Sequence, residues 1–306
     1  MKKIIAILLS MALCIGACMT MTACSSDADY VVGISQYMVH DSLDQATQGF
    51  KDALEEALEK EGKSVEFKFQ VGGENSTTVA TNFVAQGVDL IMANATPALV
   101  TAANATSSIP VLGTSVTDYN DTFNNNIPAN VSGTSDAVPF AEQADMMVET
   151  LGLVAGDKVG VIYCTNESNS VIQYNAVKAE FESKNIQVQA YTFSETTELQ
   201  AVATSAASSC DAIYIPSDNT VAQSDSIVGT ICTGKNVPVY TSYGGSICYA
   251  SLAIDYYQLG AETGKMAAQI LLGQKTPADI PVKTIAPSRS FNSELCSQLG
   301  ITVPNN

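Results

Sequence analysis

Two stretches of this chain follow the same pattern, and that repeat constrains the fold more than any other feature. Residues 89–97 form an apolar run and then a polar turn that opens a helix at Thr96-Pro97, and residues 110–115 form the next apolar run. Residues 211–219 and 238–242 repeat this order. We therefore predict two similar α/β lobes, with a cleft between them that is lined by strand-ending turns.

The repeat extends over a whole lobe. Gly33 precedes Asp89 by 56 residues, and Gly160 precedes Asp211 by 51. Apolar strands alternate with amphipathic helices throughout, which is typical of parallel sheets covered by helices on both faces. A further strand and helix, residues 251–272, have no counterpart in the first lobe, and we expect them to return to that lobe across a hinge.

The N-terminus reads as an export signal rather than as part of the fold. Lys2 and Lys3 precede an apolar stretch, and Cys24 follows in a sequence that resembles a bacterial lipobox. Cys18 ends a competing lipobox, and a secretory signal cleaved nearby without lipid is the alternative. A membrane-spanning helix is disfavoured because the apolar stretch is short. We predict that residues 1–23 are a signal peptide, that Cys24 is the lipidation site and that residues 24–29 form a tether.

Charge and cysteine content exclude several classes of protein. The 14 basic residues include Lys2 and Lys3, so the mature chain keeps 12 against 31 acidic residues. Such a surface repels phosphate backbones, and we expect no nucleic-acid partner. The five cysteines after Cys24 lack metal-ligand spacing, and His40 is the only histidine, so we predict no metal site and no cofactor. Buried thiols are expected, with a single Cys232–Cys248 disulfide as the alternative.

Several motifs carry a resemblance to a known family. They are residues 34–36 with 43–44, 94–98, 131–136, 166–170, 216–220, 255–260 and 264–267. In this order they resemble the substrate-binding lipoproteins of a bacterial ABC importer family with the type I periplasmic-binding fold, whose known ligands include tryptophan and tyrosine. The resemblance covers essentially the whole mature chain. His40 departs from it, because histidine is not usual in the first loop.

The resemblance implies an architecture and partners. It implies α/β architecture with two Rossmann-like lobes, parallel sheets and a three-crossing hinge. Applied to this chain, the first lobe takes residues 30–135 plus 251–284, and the second takes residues 136–250 plus 285–306. It also implies a partner permease with its ATPase. We expect a monomer that is lipid-anchored on the extracytoplasmic face of the bacterial cell membrane.

Ligands of open α/β sheets bind beyond the carboxyl ends of the strands. This rule selects as candidate ligand-binding residues Gln36, Tyr37, His40, Asn94, Thr96, Ser115, Thr117, Asp136, Ser168, Asn169, Ser170, Ser217, Asp218, Asn219, Tyr243 and Asp255. For any single one of these residues, helix capping is a sufficient reason for a polar side chain at that position. For the whole set facing one cleft, contact with a ligand is the better explanation.

The candidate turns contain aspartates but no lysine or arginine, so they lack the clamp that a phosphate or dicarboxylate ligand requires. Helix N-termini can hold a carboxylate, and an aspartate can pair with an ammonium. Asp218 is the preferred ammonium partner, ahead of Asp136. Tyr37, Tyr119, Tyr243 and Tyr256 offer flat walls to an aromatic side chain.

These features favour a small zwitterionic ligand with an aromatic side chain, and the family resemblance implies tryptophan or tyrosine. Another neutral solute, such as a sugar or nucleoside, is an alternative, as is a sensory module that signals without transport. The chain contains no nucleophile elbow, Walker loop or histidine-based triad, and we therefore predict that it is not an enzyme.

Overall fold

The computed structural model describes residues 28–304, and all elements are numbered within that range. The strands are β1 (Tyr30–Gln36), β2 (Val65–Val71), β3 (Leu90–Asn94), β4 (Val111–Val116), β5 (Val131–Ser135), β6 (Lys158–Cys164), β7 (Gln187–Phe193), β8 (Ala212–Ile215), β9 (Val239–Thr241), β10 (Ala250–Ala253), β11 (Lys283–Thr284) and β12 (Ser288–Phe291). The predicted signal peptide, the predicted lipidation site Cys24 and most of the predicted tether lie outside the described residues.

Eleven α-helices lie between or beside these strands in the described part of the chain. They are α1 (Asp41–Glu59), α2 (Ser76–Gln86), α3 (Thr96–Ala105), α4 (Tyr119–Thr122), α5 (Phe140–Leu151), α6 (Ser168–Ser183), α7 (Leu199–Ala207), α8 (Asn219–Ala222), α9 (Asp225–Gly234), α10 (Tyr256–Leu271) and α11 (Ser293–Leu299). The segment between β8 and β9 contains two helices, α8 and α9. None of the helices within residues 28–304 has the length and apolarity to span a membrane.

The strands form two six-stranded sheets with the same order. One sheet runs β11-β5-β4-β3-β1-β2, and the other runs β12-β10-β9-β8-β6-β7. Pairing is parallel throughout the first sheet, and in the second only β12 is antiparallel, to β10. The duplication and the two α/β lobes predicted from the sequence are therefore confirmed, with an antiparallel edge strand that the sequence did not predict.

The sheet of the first lobe is covered on both faces because its strands are apolar on both sides. Val32 and Ile34 of β1 pack with Phe50 and Leu54 of α1. Ile91 of β3 faces the opposite side of the sheet, in a second cluster with Phe83 of α2 and Leu99 of α3. Continuous apolar strands of this kind are the pattern expected of a parallel sheet buried between helices.

One predicted lobe boundary is wrong. Residue 251 was expected to open the return to the first lobe, but β10 lies in the second sheet, where Ala250 pairs with Tyr240 of β9. β10 is the counterpart of β5, so the return begins after Ala253. The physical reason is that a short apolar strand carries no local mark of its sheet, and its partners β9 and β12 decide where it lies.

Within residues 28–304 the chain passes between the lobes three times, and these passages lie next to one another in the topology. They occur between β5 and α5, between β10 and α10, and between β11 and β12. The five cysteines of the described part are buried and free. Buried thiols are thus confirmed, and the alternative Cys232–Cys248 disulfide is not formed.

Candidate functional site

A cavity lies between the two lobes where the carboxyl ends of both sets of strands meet. Little empty space remains inside it, about 10 Å³. Its lining residues come from strand-ending turns and helix N-termini of both lobes: His40, Ser42, Leu43, Ser115, Thr117, Asp136, Asn169, Ser217, Asp218, Asn219, Ala222, Tyr243 and Tyr256. This is the position that the strand-end rule predicts for a ligand site.

Two hydrogen bonds join the lobes beside this cavity. The His40 imidazole Nε2 lies 3.2 Å from Asn219 Oδ1. The Gln173 amide Nε2 donates to Thr117 Oγ1 at 2.9 Å, and Gln173 Oε1 accepts the Ser217 backbone N–H. The lobes therefore touch through polar side chains as well as through the connecting segments.

Asp136 lies at the first passage between the lobes and is almost fully buried. Its carboxylate accepts hydrogen bonds from the Thr117 hydroxyl at 3.3 Å and from the Tyr256 hydroxyl at 3.0 Å. Burial raises the pKa of Asp136 above its usual value, and the two hydroxyls oppose that rise only in part. The site thus contains an acid that is costly to ionise without a positive partner.

Asp218 lies in the second lobe, in the turn between β8 and α8. One carboxylate oxygen accepts the Val221 N–H as the helix cap, and the other accepts the Cys164 N–H at 2.7 Å. Burial raises the pKa of Asp218 well above its usual value, and the neighbouring carboxylate of Glu167 raises it further. Asp218 is therefore a second buried acid beside the cavity.

Glu167 lies behind the lining residues and is fully buried. One of its oxygens accepts the backbone N–H and the side-chain hydroxyl of Thr220. The other accepts the backbone N–H and the side-chain amide of Asn219, with Asn169 Nδ2 at 3.4 Å. Glu167 therefore holds two cavity-lining amides in position.

Four lining residues carry a buried polar atom that has no hydrogen-bond partner among residues 28–304. These atoms are His40 Nδ1, Ser115 Oγ, Asn169 Oδ1 and Tyr243 Oη. Ser115 also has a φ of 56°, in the left-handed region that residues other than glycine and asparagine seldom adopt. A buried polar group left unpaired costs about 1–3 kcal/mol, so this cavity is suited to a ligand that supplies the missing partners.

Burial shifts the pKa of two of these groups so that each favours its neutral form. It lowers the pKa of His40, against the opposing influence of Asn219 and the nearby carboxylates, which favours the neutral imidazole. It raises the pKa of the Tyr243 hydroxyl well above its usual value, so this group remains a neutral phenol. None of the thirteen lining residues, all within the described range, is a lysine or an arginine.

Nine of the candidate residues predicted from the sequence line the cavity together. They are His40, Ser115, Thr117, Asp136, Asn169, Ser217, Asp218, Asn219 and Tyr243. Whether they contact ligand stays a prediction.

The other seven candidates lie outside the cavity, for identifiable reasons. Gln36 and Asn94 are buried and hydrogen-bonded to the first turns of α1. Asp255 is exposed and caps α10, and Ser168 is exposed at the start of α6. The remaining three, Tyr37, Thr96 and Ser170, are at least partly buried and do not line the cavity.

Sequence reasoning missed several residues of the site. Ser42, Leu43 and Ala222 line the cavity, and Tyr256, considered only as an aromatic wall, does so too. Glu167 is also part of the site, and its position in the turn after β6 is a signal in the sequence that could have identified it. Gln173 had none, because it lies one turn inside α6 and its role depends on Thr117 of the other lobe.

Comparison with known proteins identifies the family. Residues 31–306 match the family described as ABC transporter substrate binding protein. The chain therefore belongs to this family of solute-binding proteins, which are not enzymes and work outside the cytoplasm. One curated relative is the "Tyrosine-binding protein" of Clostridioides difficile strain R20291. It is 36% identical over 264 residues, which is 83% of this chain and 76% of the relative.

Solved structures agree with this assignment. A domain from Streptococcus pneumonia in complex with L-Trp is 31% identical, covers 90% of this chain and 96% of its own, and superposes with a TM-score of 0.82. The ligand-free, open structure of a Clostridium difficile substrate-binding protein is also 31% identical, over 90% and 97% of the chains, but its TM-score is 0.68. The overall arrangement of this chain is thus nearer to that of the L-Trp complex.

Proposed function

We propose that this protein is a lipid-anchored receptor that closes its two lobes around an aromatic amino acid and delivers it to an ABC importer. The observation that carries the proposal is the cavity itself. Unpaired polar atoms and two buried acids line it, and none of its lining residues, all within the described range, is a lysine or an arginine. Such a lining favours a ligand that brings hydrogen-bond donors and a positive charge but has little net charge.

The two charged groups of an amino acid have matching features at this cavity. Ser42 and Leu43 lie in the first turn of the 19-residue helix α1, where backbone N–H groups lack intrahelical partners and the helix dipole favours an anion. The α-carboxylate is expected to bind there. The ammonium is expected to bind near Asp218, since a buried carboxylate needs a positive partner.

Several apolar groups suit an aromatic side chain. Leu43, Ala222, Tyr243 and Tyr256 all line the cavity. Aromatic rings gain from packing against other rings and aliphatic groups. The names of the two relatives above, one tyrosine-binding and one solved with L-Trp, support tryptophan or tyrosine as the first ligands to test.

A thermal-shift screen of the twenty amino acids, common sugars and nucleosides tests the ligand class. A ligand that binds only the folded state raises the melting temperature by mass action, so L-tyrosine or L-tryptophan is expected to give the largest rise. A larger rise with a sugar or a nucleoside, and none with any amino acid, would contradict the proposal.

Anchoring and delivery require a separate test. Cys24 is the proposed lipidation site, and its replacement by serine is expected to move the protein from the membrane fraction to the soluble exported fraction.

Loss of labelled tyrosine or tryptophan uptake in cells that lack this protein would support delivery to a permease with its ATPase. Unchanged uptake would favour a sensory role.

A further inference from the structure

One buried carboxylate controls the direction of two amides at the cavity. Glu167 is held by backbone N–H groups on both of its oxygens, from Asn219 and from Thr220, so both oxygens act as acceptors. A carboxylate that accepts in this way can be faced only by donors. The NH₂ group of Asn219 therefore points to Glu167, as the Nδ2–Oε2 hydrogen bond requires.

The orientation of Asn219 determines the tautomer of His40. With its NH₂ group on Glu167, Asn219 turns its carbonyl Oδ1 to His40 Nε2 across the cleft, at 3.2 Å. An amide oxygen can only accept, so Nε2 must carry the imidazole proton. His40 Nδ1 is then a bare acceptor, and it is the buried atom without a partner among the described residues.

Asn169 is fixed in the same way. Its Nδ2 donates to the Ser217 carbonyl at 2.7 Å and lies 3.4 Å from Glu167 Oε2. Its Oδ1 is left as a second buried acceptor without a partner in residues 28–304. Both His40 and Asn169 line the cavity, and they come from opposite lobes.

We propose that Glu167 is a positioning residue that presents His40 Nδ1 and Asn169 Oδ1 as acceptors, and that together with the Asp218 carboxylate they bind a primary ammonium group. An ammonium has three N–H donors, and these three groups, all of which line the cavity, offer one acceptor each. Because His40 belongs to the first lobe and Asn169 to the second, the bound ammonium bridges the lobes. This inference rests on the proposed function and adds that Glu167 makes the site selective for a ligand with an ammonium group.

The tautomer can be measured directly, because His40 is the only histidine of the chain. In ¹⁵N-histidine-labelled, ligand-free protein at neutral pH, Nε2 should give a pyrrole-type signal and Nδ1 a pyridine-type signal. Glu167→Gln replaces one of the two acceptor oxygens by an NH₂ donor, so the side chain no longer accepts on both sides and no longer fixes the orientation of Asn219. A substantial Nδ1–H population should then appear. Glu198→Gln is the matched control, since Glu198 accepts two backbone N–H groups in the same lobe outside the cavity, and it should leave the spectrum unchanged.

Ligand analogues test the ammonium. Glu167→Gln is expected to weaken L-tyrosine binding by at least ~10-fold, as for a buried charged network that loses a partner, and to change binding of 3-(4-hydroxyphenyl)propionate, which lacks the amine, much less. If Glu167→Gln does not fold, Asn219→Ala interrupts the same contact and should also shift the tautomer. The ¹⁵N spectrum of the wild-type protein reports the tautomer of His40 whether or not either variant folds.

The outcomes separate this inference from the proposed function. L-tyrosine binding with an Nδ1–H or doubly protonated His40 would overturn the role of Glu167 and leave the proposed function standing. Equal loss of L-tyrosine and its desamino analogue in Glu167→Gln would overturn the ammonium assignment. A Nε2–H tautomer in a protein that binds no amino acid would contradict both the proposed function and the ammonium, and would leave only the orientation of Asn219.

Discussion

At the scale of single residues, Asp218 both caps a helix and faces the cavity. Its replacement by asparagine keeps an acceptor for the Val221 N–H but removes the negative charge. We expect Asp218→Asn to weaken amino-acid binding by at least ~10-fold, because a buried ammonium loses its charge partner. Isothermal titration calorimetry measures this. Asp255→Asn is the matched control, because Asp255 also caps a helix, α10, but is exposed and lies away from the cavity. Unchanged affinity in Asp218→Asn would show that Asp218 does not bind the ammonium.

Asp136 should make stability depend on pH in the direction opposite to most carboxylates. Burial raises its pKa in the folded state, so above the unfolded-state pKa, about 4, the folded protein retains a proton that the unfolded chain has lost. The contribution of Asp136 to the free energy of unfolding is present at low pH and is lost as the pH rises through the folded-state pKa. In Asp136→Asn this side chain does not titrate, so this pH dependence should be absent.

The free energy of unfolding in urea, measured at several pH values between 4 and 8 without ligand, tests this sign. The variant should gain stability relative to the wild type as the pH rises. A difference between the two proteins that stays constant with pH, or that moves the other way, would be inconsistent with a raised pKa at Asp136.

At the scale of elements, helices α1 and α10 approach each other backbone to backbone. A Cβ built on Gly260 would lie 1.9 Å from the Ala46 carbonyl oxygen, and one on Gly49 would lie 2.0 Å from the Tyr257 carbonyl oxygen. This contact attaches a helix from the late part of the chain to the first helix of the first lobe. Only glycine permits so close an approach.

Gly260→Ala should therefore destabilise the protein by about 1–3 kcal/mol or more, the cost of overpacking a tight contact. Urea unfolding monitored by circular dichroism measures the change. The matched control is Gly234→Ala at the end of α9, where an added Cβ meets nothing within 4 Å. That variant should be neutral or slightly more stable, because alanine favours a helix more than glycine does. Equal stability of Gly260→Ala and the wild type would mean that the helices separate at little cost.

At the scale of the whole molecule, the lobes are held together in part by protein contacts that need no ligand. Gln173 of the second lobe donates to Thr117 of the first and does not itself line the cavity. Gln173→Met should weaken amino-acid binding by about 5-fold, because one hydrogen bond contributes roughly 1 kcal/mol to the closed state. The radius of gyration of the ligand-free variant, from small-angle X-ray scattering, should increase, and saturating ligand should reverse the increase.

Gln143→Met provides the control for this measurement. Gln143 is also buried, but it bonds to Leu252 and Tyr214 within the second lobe. Its loss should lower the free energy of unfolding without opening the lobes. If the two variants had the same radius of gyration as the wild type, Gln173 would have no part in closure.

The sequence by itself determined the features that local patterns encode. Apolar runs and helical spacing predicted the strands and helices, the internal repeat predicted two similar lobes, and polar turns such as Asp218-Asn219 marked the carboxyl ends of the strands. The absence of basic residues from those turns is reproduced in the cavity lining. These inferences succeed because periodicity and turn chemistry act over a few neighbouring residues.

Only the tertiary structure decided matters that depend on distant partners. The sheet to which β10 belongs follows from its pairing with β9 and β12, and the two strands β11 and β12 were not foreseen. The relation between Glu167, Asn219 and His40 spans both lobes, and His40 and Asn219 are 179 residues apart in the chain. No local pattern contains such contacts, since they form only when the lobes close on each other and bury polar groups that must then find partners.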